Sequence, residues 1–214
     1  MPDKETSRVE AFSDGVFAIA ITLLILEIKV PNLESFKSSN LLYKELINLW
    51  PSYFAFVVSF AAILIMWINH HGFFNYLKKI DSRFLFANGF LLLLITFIPF
   101  PTAILAKYIE SEAVNAAAAF YCGTMVLISM AFNLLWFTSA YKRRLIKPII
   151  STKLIEKIKK AYVLGFVIYL LAFIISIFYA YVGLIICISL WTLWSFLDYS
   201  TTKERKNNIT SCQK

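Results

Sequence analysis

Between Ala161 and Leu197 the chain runs through 37 residues without a single charge. As one helix at 1.5 Å per residue that stretch would be about 55 Å long, against about 30 Å of bilayer hydrocarbon. Two closely joined helices, expected at 161–180 and 183–198 and turning near Tyr181-Val182-Gly183, remove the conflict. Further uncharged segments predict helices at 49–69, 84–106 and 113–141, and Pro99 and Pro101 should kink or end the far portion of the third span. Trp50, Tyr53 and Trp67 bracket the second span as interfacial aromatics do. With 59% apolar and 16% charged residues and a mean hydropathy of +0.69, the chain has the composition of an integral membrane protein, and a water-soluble core is excluded.

The first apolar segment is different. From Gly15 to Leu26 there are only twelve uncharged residues, held between Asp14 and Glu27, too few to face lipid over a whole span. A helix over 9–29 therefore needs polar shelter at both ends. Ala11, Gly15, Ala18 and Thr22 form a stripe of small residues that admits a close neighbour, and Ile19, Leu23 and Leu26 run beside it. Such a pair of stripes suits a helix packed around an axis with aliphatic rings facing inward; it also suits an ordinary buried bundle helix. Glu27-Ile-Lys-Val-Pro31 follows the run where a signal peptide would have a small-residue cleavage site, so the segment is expected to stay in the mature protein.

Basic residues set the orientation. Six spans put Lys4 and Arg8, Lys78, Lys79 and Arg83, the eight Lys and Arg residues from Lys142 to Lys160, and Lys203, Arg205, Lys206 and Lys214 on one side. Those are seventeen of the 21, leaving Lys29, Lys37, Lys44 and Lys107 opposite. The positive-inside rule then places both termini in the cytoplasm, with 199–214 as a cytoplasmic tail. The net charge of +8 is explained by these loops and needs no nucleic acid. The stretch from Lys142 to Lys160 can attract anionic lipid or simply fix orientation. Glu27, Glu34, Glu45, Glu110 and Glu112 gather on the outer side, where they would concentrate cations. The Asn208-Ile-Thr210 sequon falls in the cytoplasmic tail and is discounted.

This topology brings Arg8, Ser13 and Asp14 of the first helix to the depth of His70 and His71 at the inner end of the second and of Asn88 near the start of the third. Ionisable groups within a membrane pair with one another, so these six are expected to form a structural polar network. Adjacent histidines point in different directions on a helix, and no metal-ligating partner accompanies them. No fixed metal is expected. A proton relay through Asp14 and a histidine is the sharper alternative. Cys122, Cys187 and Cys212 have no paired spacing and read as packing residues. No nucleophile, base and orienting group recur together and no phosphate-binding glycine loop is present, so no enzyme is expected. The six glycines are scattered singly, so a carbonyl-lined filter of the Thr-Val-Gly-Tyr-Gly kind is unavailable, and any ion selection must come from side chains or bound water.

The residues Arg8-x-x-x-Phe12-Ser13-Asp14, with the Gly-Val-Phe-Ala-Ile-Ala-Ile-Thr-Leu-Leu run after them, resemble the opening of the first membrane helix in the transmembrane-protein-175 family. Trp67-Ile-Asn-His70-His71 and Phe97-Ile-Pro99-Phe-Pro101-Thr strengthen the resemblance. That family comprises endosomal and lysosomal potassium channels and bacterial homologues. The resemblance implies a leak-type, potassium-preferring cation channel in a bacterial plasma membrane, with no cofactor beyond the permeant ion and with lipid and monovalent cations as partners. Vertebrate members carry the Phe-Ser-Asp helix twice, and this chain carries it once, which implies a homotetramer with four first helices around the pore. Carried over by position, Ile19 is the constriction, Thr22 places a hydroxyl near it, and Leu23 and Leu26 are the next layers outward, with transient potassium near Ile19, Thr22 and Leu23. The expectation is thus an all-α membrane protein of six spans. A proton-conducting or proton-coupled carrier is the alternative, and a non-conducting membrane scaffold is a third.

Overall fold

The computed structural model describes residues 2–31 and 38–195. Glu34, Lys37, the last three residues of the sixth expected span, the basic tail, its sequon and Cys212 lie outside the described residues. The chain folds into helices alone, apart from one isolated antiparallel bridge between Leu77 and Ile146 among the described residues. In order these are α1 (Pro2–Leu23), a 3-10 turn (Leu24–Glu27), α2 (Ser39–Asn48), α3 (Trp50–Phe74), α4 (Ser82–Phe97), α5 (Pro99–Tyr108), α6 (Val114–Ala140), a second 3-10 turn (Tyr141–Arg143), α7 (Thr152–Ser176) and α8 (Ala180–Ser195). Among the described residues five helical segments are long and apolar enough to cross a membrane, with α4 and α5 counting as one, and α8 is a shorter apolar helix. A helix pairs its interior backbone polar groups within itself, which is what hydrocarbon demands.

Local chemistry explains the boundaries. Ser38, Asp81 and Ser151 each accept a backbone N–H at the first turn of α2, α4 and α7. Pro99 has no N–H to donate, so the third span breaks between Phe97 and Pro99 and restarts as α5 with proline in its first turn. Residues 39–48, outside the six expected spans, form α2, which buries none of its side chains. The first helix begins seven residues earlier than expected and gives way to a 3-10 turn at Leu24, so Leu26 sits on a tighter coil than Ile19 and Leu23.

The paired helices of the long uncharged stretch need a correction. Their turn falls at residues 177–179, before the expected Tyr181-Val182-Gly183, and Gly183 lies within α8. Asn115 of α6 holds that turn from outside, donating to the Phe178 carbonyl at 3.3 Å and accepting from the Ala180 N–H at 3.0 Å. Gly183 serves close packing instead. A Cβ there would lie 2.5 Å from Ser176 Cβ and 2.7 Å from the Ala172 carbonyl oxygen. Cys122 of α6 and Cys187 of α8 are both buried and free in this helical layer.

The two basic loops are clasped at the inner end of the bundle. Lys78 N–H donates to Leu145 O at 2.9 Å and Lys147 N–H to Tyr76 O at 2.8 Å, around the Leu77–Ile146 bridge. Arg144 pairs with Asp81 and also donates to Thr138 O, and Lys147 Nζ donates to Asn75 O. Arg143, one of two non-glycine residues with positive φ among the described residues, donates to Thr152 Oγ1 and Ile150 O. Three of the eight basic residues between 142 and 160 are therefore committed to protein oxygens.

Because the α7–α8 contact is closed by Gly183, Gly183→Ala is expected to cost about 1–3 kcal/mol through overpacking. Thermal unfolding followed by size-exclusion elution in detergent measures it, and an unchanged midpoint would contradict the packing described.

Candidate functional site

On α1 the apolar and polar residues divide by angle. Ser13, Phe17, Ala20 and Leu24 are all within 1% of full burial and face the bundle, at the spacing of a helical stripe. The opposite side carries Phe12, Ile19, Leu23 and Leu26, exposed in the protomer by 67%, 59%, 39% and 61%, together with Ala11, Gly15, Ala18 and Thr22. Of the five long spans α1 is the least covered by its own chain. Thr22 Oγ1 donates back to the Ile19 carbonyl at 2.9 Å, so its oxygen lone pairs are what it presents outward. All four sequence-nominated path residues thus share the uncovered face of one helix.

Asn88 of α4 fixes the buried face. The Ser13 hydroxyl donates to Val9 O at 2.8 Å, so toward Asn88 it accepts, and Asn88 Nδ2 donates to it at 2.9 Å. The Asn88 carbonyl oxygen is then turned to His70 Nε2, 2.8 Å away, which must be the nitrogen that carries the hydrogen. All three side chains are at least 97% buried. Phe17 and Phe74 enclose the His70 ring, with centroids 5.2 and 4.8 Å away.

A second set of contacts runs between α1 and α3. Trp67 Nε1 donates to Asp14 Oδ1 at 2.8 Å, and His71 Nδ1 lies 3.0 Å from Glu10 Oε1. Glu10 and Asp14 are one turn apart on α1, as Trp67 and His71 are on α3, so the two contacts form adjacent rungs of an antiparallel helix pair. The shelter that Asp14 requires in an apolar segment comes from an indole N–H.

The six-residue network expected from the sequence is therefore divided. Ser13, His70 and Asn88 meet in one buried cluster, whereas Asp14 and His71 belong to the second set. Successive helical residues point about 100° apart, which sends Ser13 and Asp14, and likewise His70 and His71, to different partners. Arg8 joins neither: six residues separate it from Asp14, about 240° around the helix, and it lies on the exposed side with no hydrogen bond or ion pair among the described residues. Glu10 and Trp67 were missed as partners. Their signal was positional, since each sits four residues before a nominated polar residue on the same helix face.

The fold and site define a multi-pass helical membrane protein whose first span, locked to the bundle by hydrogen bonds on one side, leaves a small-and-aliphatic face uncovered by its own chain. The family model described as endosomal/lysosomal potassium channel TMEM175 matches residues 8–99, from the first helix to the start of α5. A protein of Chamaesiphon minutus named as a potassium channel is 45% identical over 183 residues, covering 86% of this chain and 90% of the relative. A zebrafish protein named as an endosomal/lysosomal proton channel TMEM175 is 30% identical over 143 residues, 64% of this chain but 28% of its own length. The crystal structure of a lysosomal potassium-selective channel TMEM175 homologue from Chamaesiphon minutus superposes with a TM-score of 0.80 at 43% identity, covering 90% of this chain and 97% of that one. The chain belongs to the TMEM175 family.

Asn88→Ala removes both hydrogen bonds of the buried cluster and leaves His70 without its partner, at an expected cost of about 2–4 kcal/mol. Ser13→Ala alone should cost about 1 kcal/mol and almost nothing when added to Asn88→Ala. A double-mutant cycle of thermal midpoints tests this; strictly additive effects would separate the two side chains.

Proposed function

We propose that the protein is a passive, potassium-preferring cation channel of a bacterial membrane, assembled as a homotetramer around a path lined by α1. The observation that carries this reading is the exposure of Ile19, Leu23 and Leu26 on the least covered span of a chain in this family. A lone apolar helix face bounded by Asp14 and Glu27 does not enclose an aqueous path, so several copies must share the wall, and closed cyclic symmetry is the default arrangement for identical chains. Similar relatives are named potassium channels, which supports the choice of ion.

In this reading Ile19 narrows the path with a hydrophobic collar, and Leu23 and Leu26 extend the narrow section outward. A hydrophobic constriction controls passage by its width and its wetting, so an ion crosses it with part of its hydration removed. Thr22 supplies an oxygen beside the collar. Behind it, the Ser13–Asn88–His70 cluster sets the rotation of α1 and so the direction in which the aliphatic side chains project. The reading requires no enzymatic step and no cofactor besides the permeant ion.

A second reading, proton conduction, draws on the name of the zebrafish relative and on the acids and histidines that line the α1–α3 seam. Flux measured under a proton gradient without potassium discriminates it.

Protein reconstituted in liposomes should pass potassium down its gradient, and particles should have four times the 24.6 kDa chain mass. Liposomes that hold the protein yet pass no monovalent cation would refute the channel. Ile19→Asn, by wetting and widening the collar, should raise potassium current several-fold and lower the preference for potassium over sodium. Planar-bilayer recording reads both quantities, and current and selectivity equal to the parent protein would remove Ile19 from the constriction.

A further inference from the structure

Once the clasp between the two basic loops is made, the free cations beside it are confined to α7. Arg143, Arg144 and Lys147 are committed to protein oxygens, and Lys142 lies over the Tyr141 ring, 5.5 Å from its centroid. Lys153, Lys157, Lys159 and Lys160 are exposed, and their side chains have no hydrogen bond or ion pair among the described residues. Three of them form a line. Lys153, Lys157 and Lys160 are four and three residues apart and fall within about 60° around the helix, whereas Lys159 points about 100° away from Lys160. The same four-and-three spacing continues through Leu164, Val167, Leu171 and Ile174, each 44–50% exposed. One uncovered face of α7 is thus cationic at its inner end and apolar along the rest. Lys153 stands in the first turn of α7, where the helix dipole disfavours a cation, so helix stability does not account for the line.

The charges lie at the depth of lipid head groups. From Ala161 to its end at Ser176, α7 carries no charge. The head-group layer of one leaflet is about 5–8 Å thick, and Lys157 and Lys160 are about 4.5 Å apart along the axis. Side chains on a helix lean toward its N-terminus, here the cytoplasm, so both lysines carry their ammonium groups out of the hydrocarbon into that layer. Lys153, about 10 Å from Lys160, marks its cytoplasmic edge. Of the acids on this side, Asp81, Glu10 and Asp14 already have partners. Glu156, one turn before Lys160, makes no ion pair among the described residues. A soluble acidic protein could meet the lysines but not the apolar residues beyond Lys160, which lie at hydrocarbon depth. A phosphodiester head group that carries acyl chains meets both.

We propose that this face of α7 binds one anionic phospholipid of the inner leaflet. Its phosphate lies against Lys157 and Lys160, with Lys153 at the polar end of the head group, and its acyl chains run along Leu164, Val167 and Leu171. The site uses no residue of α1 and does not depend on ion conduction.

The test uses the full chain in neutral detergent, titrated with phosphatidylglycerol or with phosphatidylcholine, with bound lipid counted by native mass spectrometry. One phosphatidylglycerol per chain should bind saturably, and phosphatidylcholine at least about tenfold more weakly. Lys157→Gln should weaken the anionic lipid about fivefold, and Lys153→Gln, Lys157→Gln and Lys160→Gln together roughly a hundredfold. Lys157→Arg should keep the affinity. Lys159→Gln removes an equal charge off the line and should change binding less than about twofold. These positions are exposed, so size-exclusion elution should not move. Glycerol phosphate, which has the charge without acyl chains, should not displace the lipid at matched ionic strength. Equal effects of Lys157→Gln and Lys159→Gln would reduce the stretch to diffuse charge and overturn the proposal. Equal affinity for the two lipids, displacement by glycerol phosphate, or no saturable binding because a second copy covers the face would overturn it as well.

Discussion

The hydrogen bonds that Asn88 makes to Ser13 and His70 are the constraint on which the arrangement of the first helix depends. A buried amide between two hydrogen-bonding side chains has few acceptable geometries, and in hydrocarbon no water relaxes them. Once Ser13 is turned to α4, Phe17, Ala20 and Leu24 follow it into the bundle at helical spacing. Ile19, Leu23 and Leu26 are left on the other side by the same rotation. A polar triplet thus determines which aliphatic residues are available to another copy of the chain or to an ion.

The seam between α1 and α3 adds alignment along the helix axes. The Glu10–His71 and Asp14–Trp67 contacts are one turn apart on each helix, so a sliding of one helix past the other would break both. The Glu10–His71 contact is partly exposed, whereas the indole bond protects a carboxylate in an otherwise apolar segment. At the far end of the molecule Asn115 and Gly183 perform a comparable task with neutral chemistry, one satisfying the backbone of a turn and the other allowing α7 and α8 to touch.

Apolar cores formed by helices in a membrane gain little from water exclusion between them, so close packing and hydrogen bonds carry specificity. The described residues reflect this. Several polar side chains inside the bundle join one helix to another: Ser13, Asn88 and His70 set rotation, Ser59 meets Thr102 at 2.6 Å between α3 and α5, and Asn133 of α6 donates to the Tyr162 carbonyl of α7. Among the described residues, Asn69 Oδ1 and His70 Nδ1 are buried without a hydrogen-bond partner.

The sequence by itself determined that the chain is helical and crosses a membrane, because uncharged runs of span length have no other stable form in lipid, and the asymmetry of lysine and arginine oriented them. It also marked the first helix as unusual, through acids at both ends of a short apolar segment. Which polar residues meet was decided only by the tertiary structure. Neighbours in sequence such as Ser13 and Asp14 look equivalent in a motif, yet point about 100° apart and find different helices. Arg8 stands apart and Trp67 and Glu10 take part for the same reason. The position of the α7–α8 turn was likewise hidden, since it is held by Asn115, more than sixty residues away, and a glycine inside a helix looks like a turn until its neighbour is known.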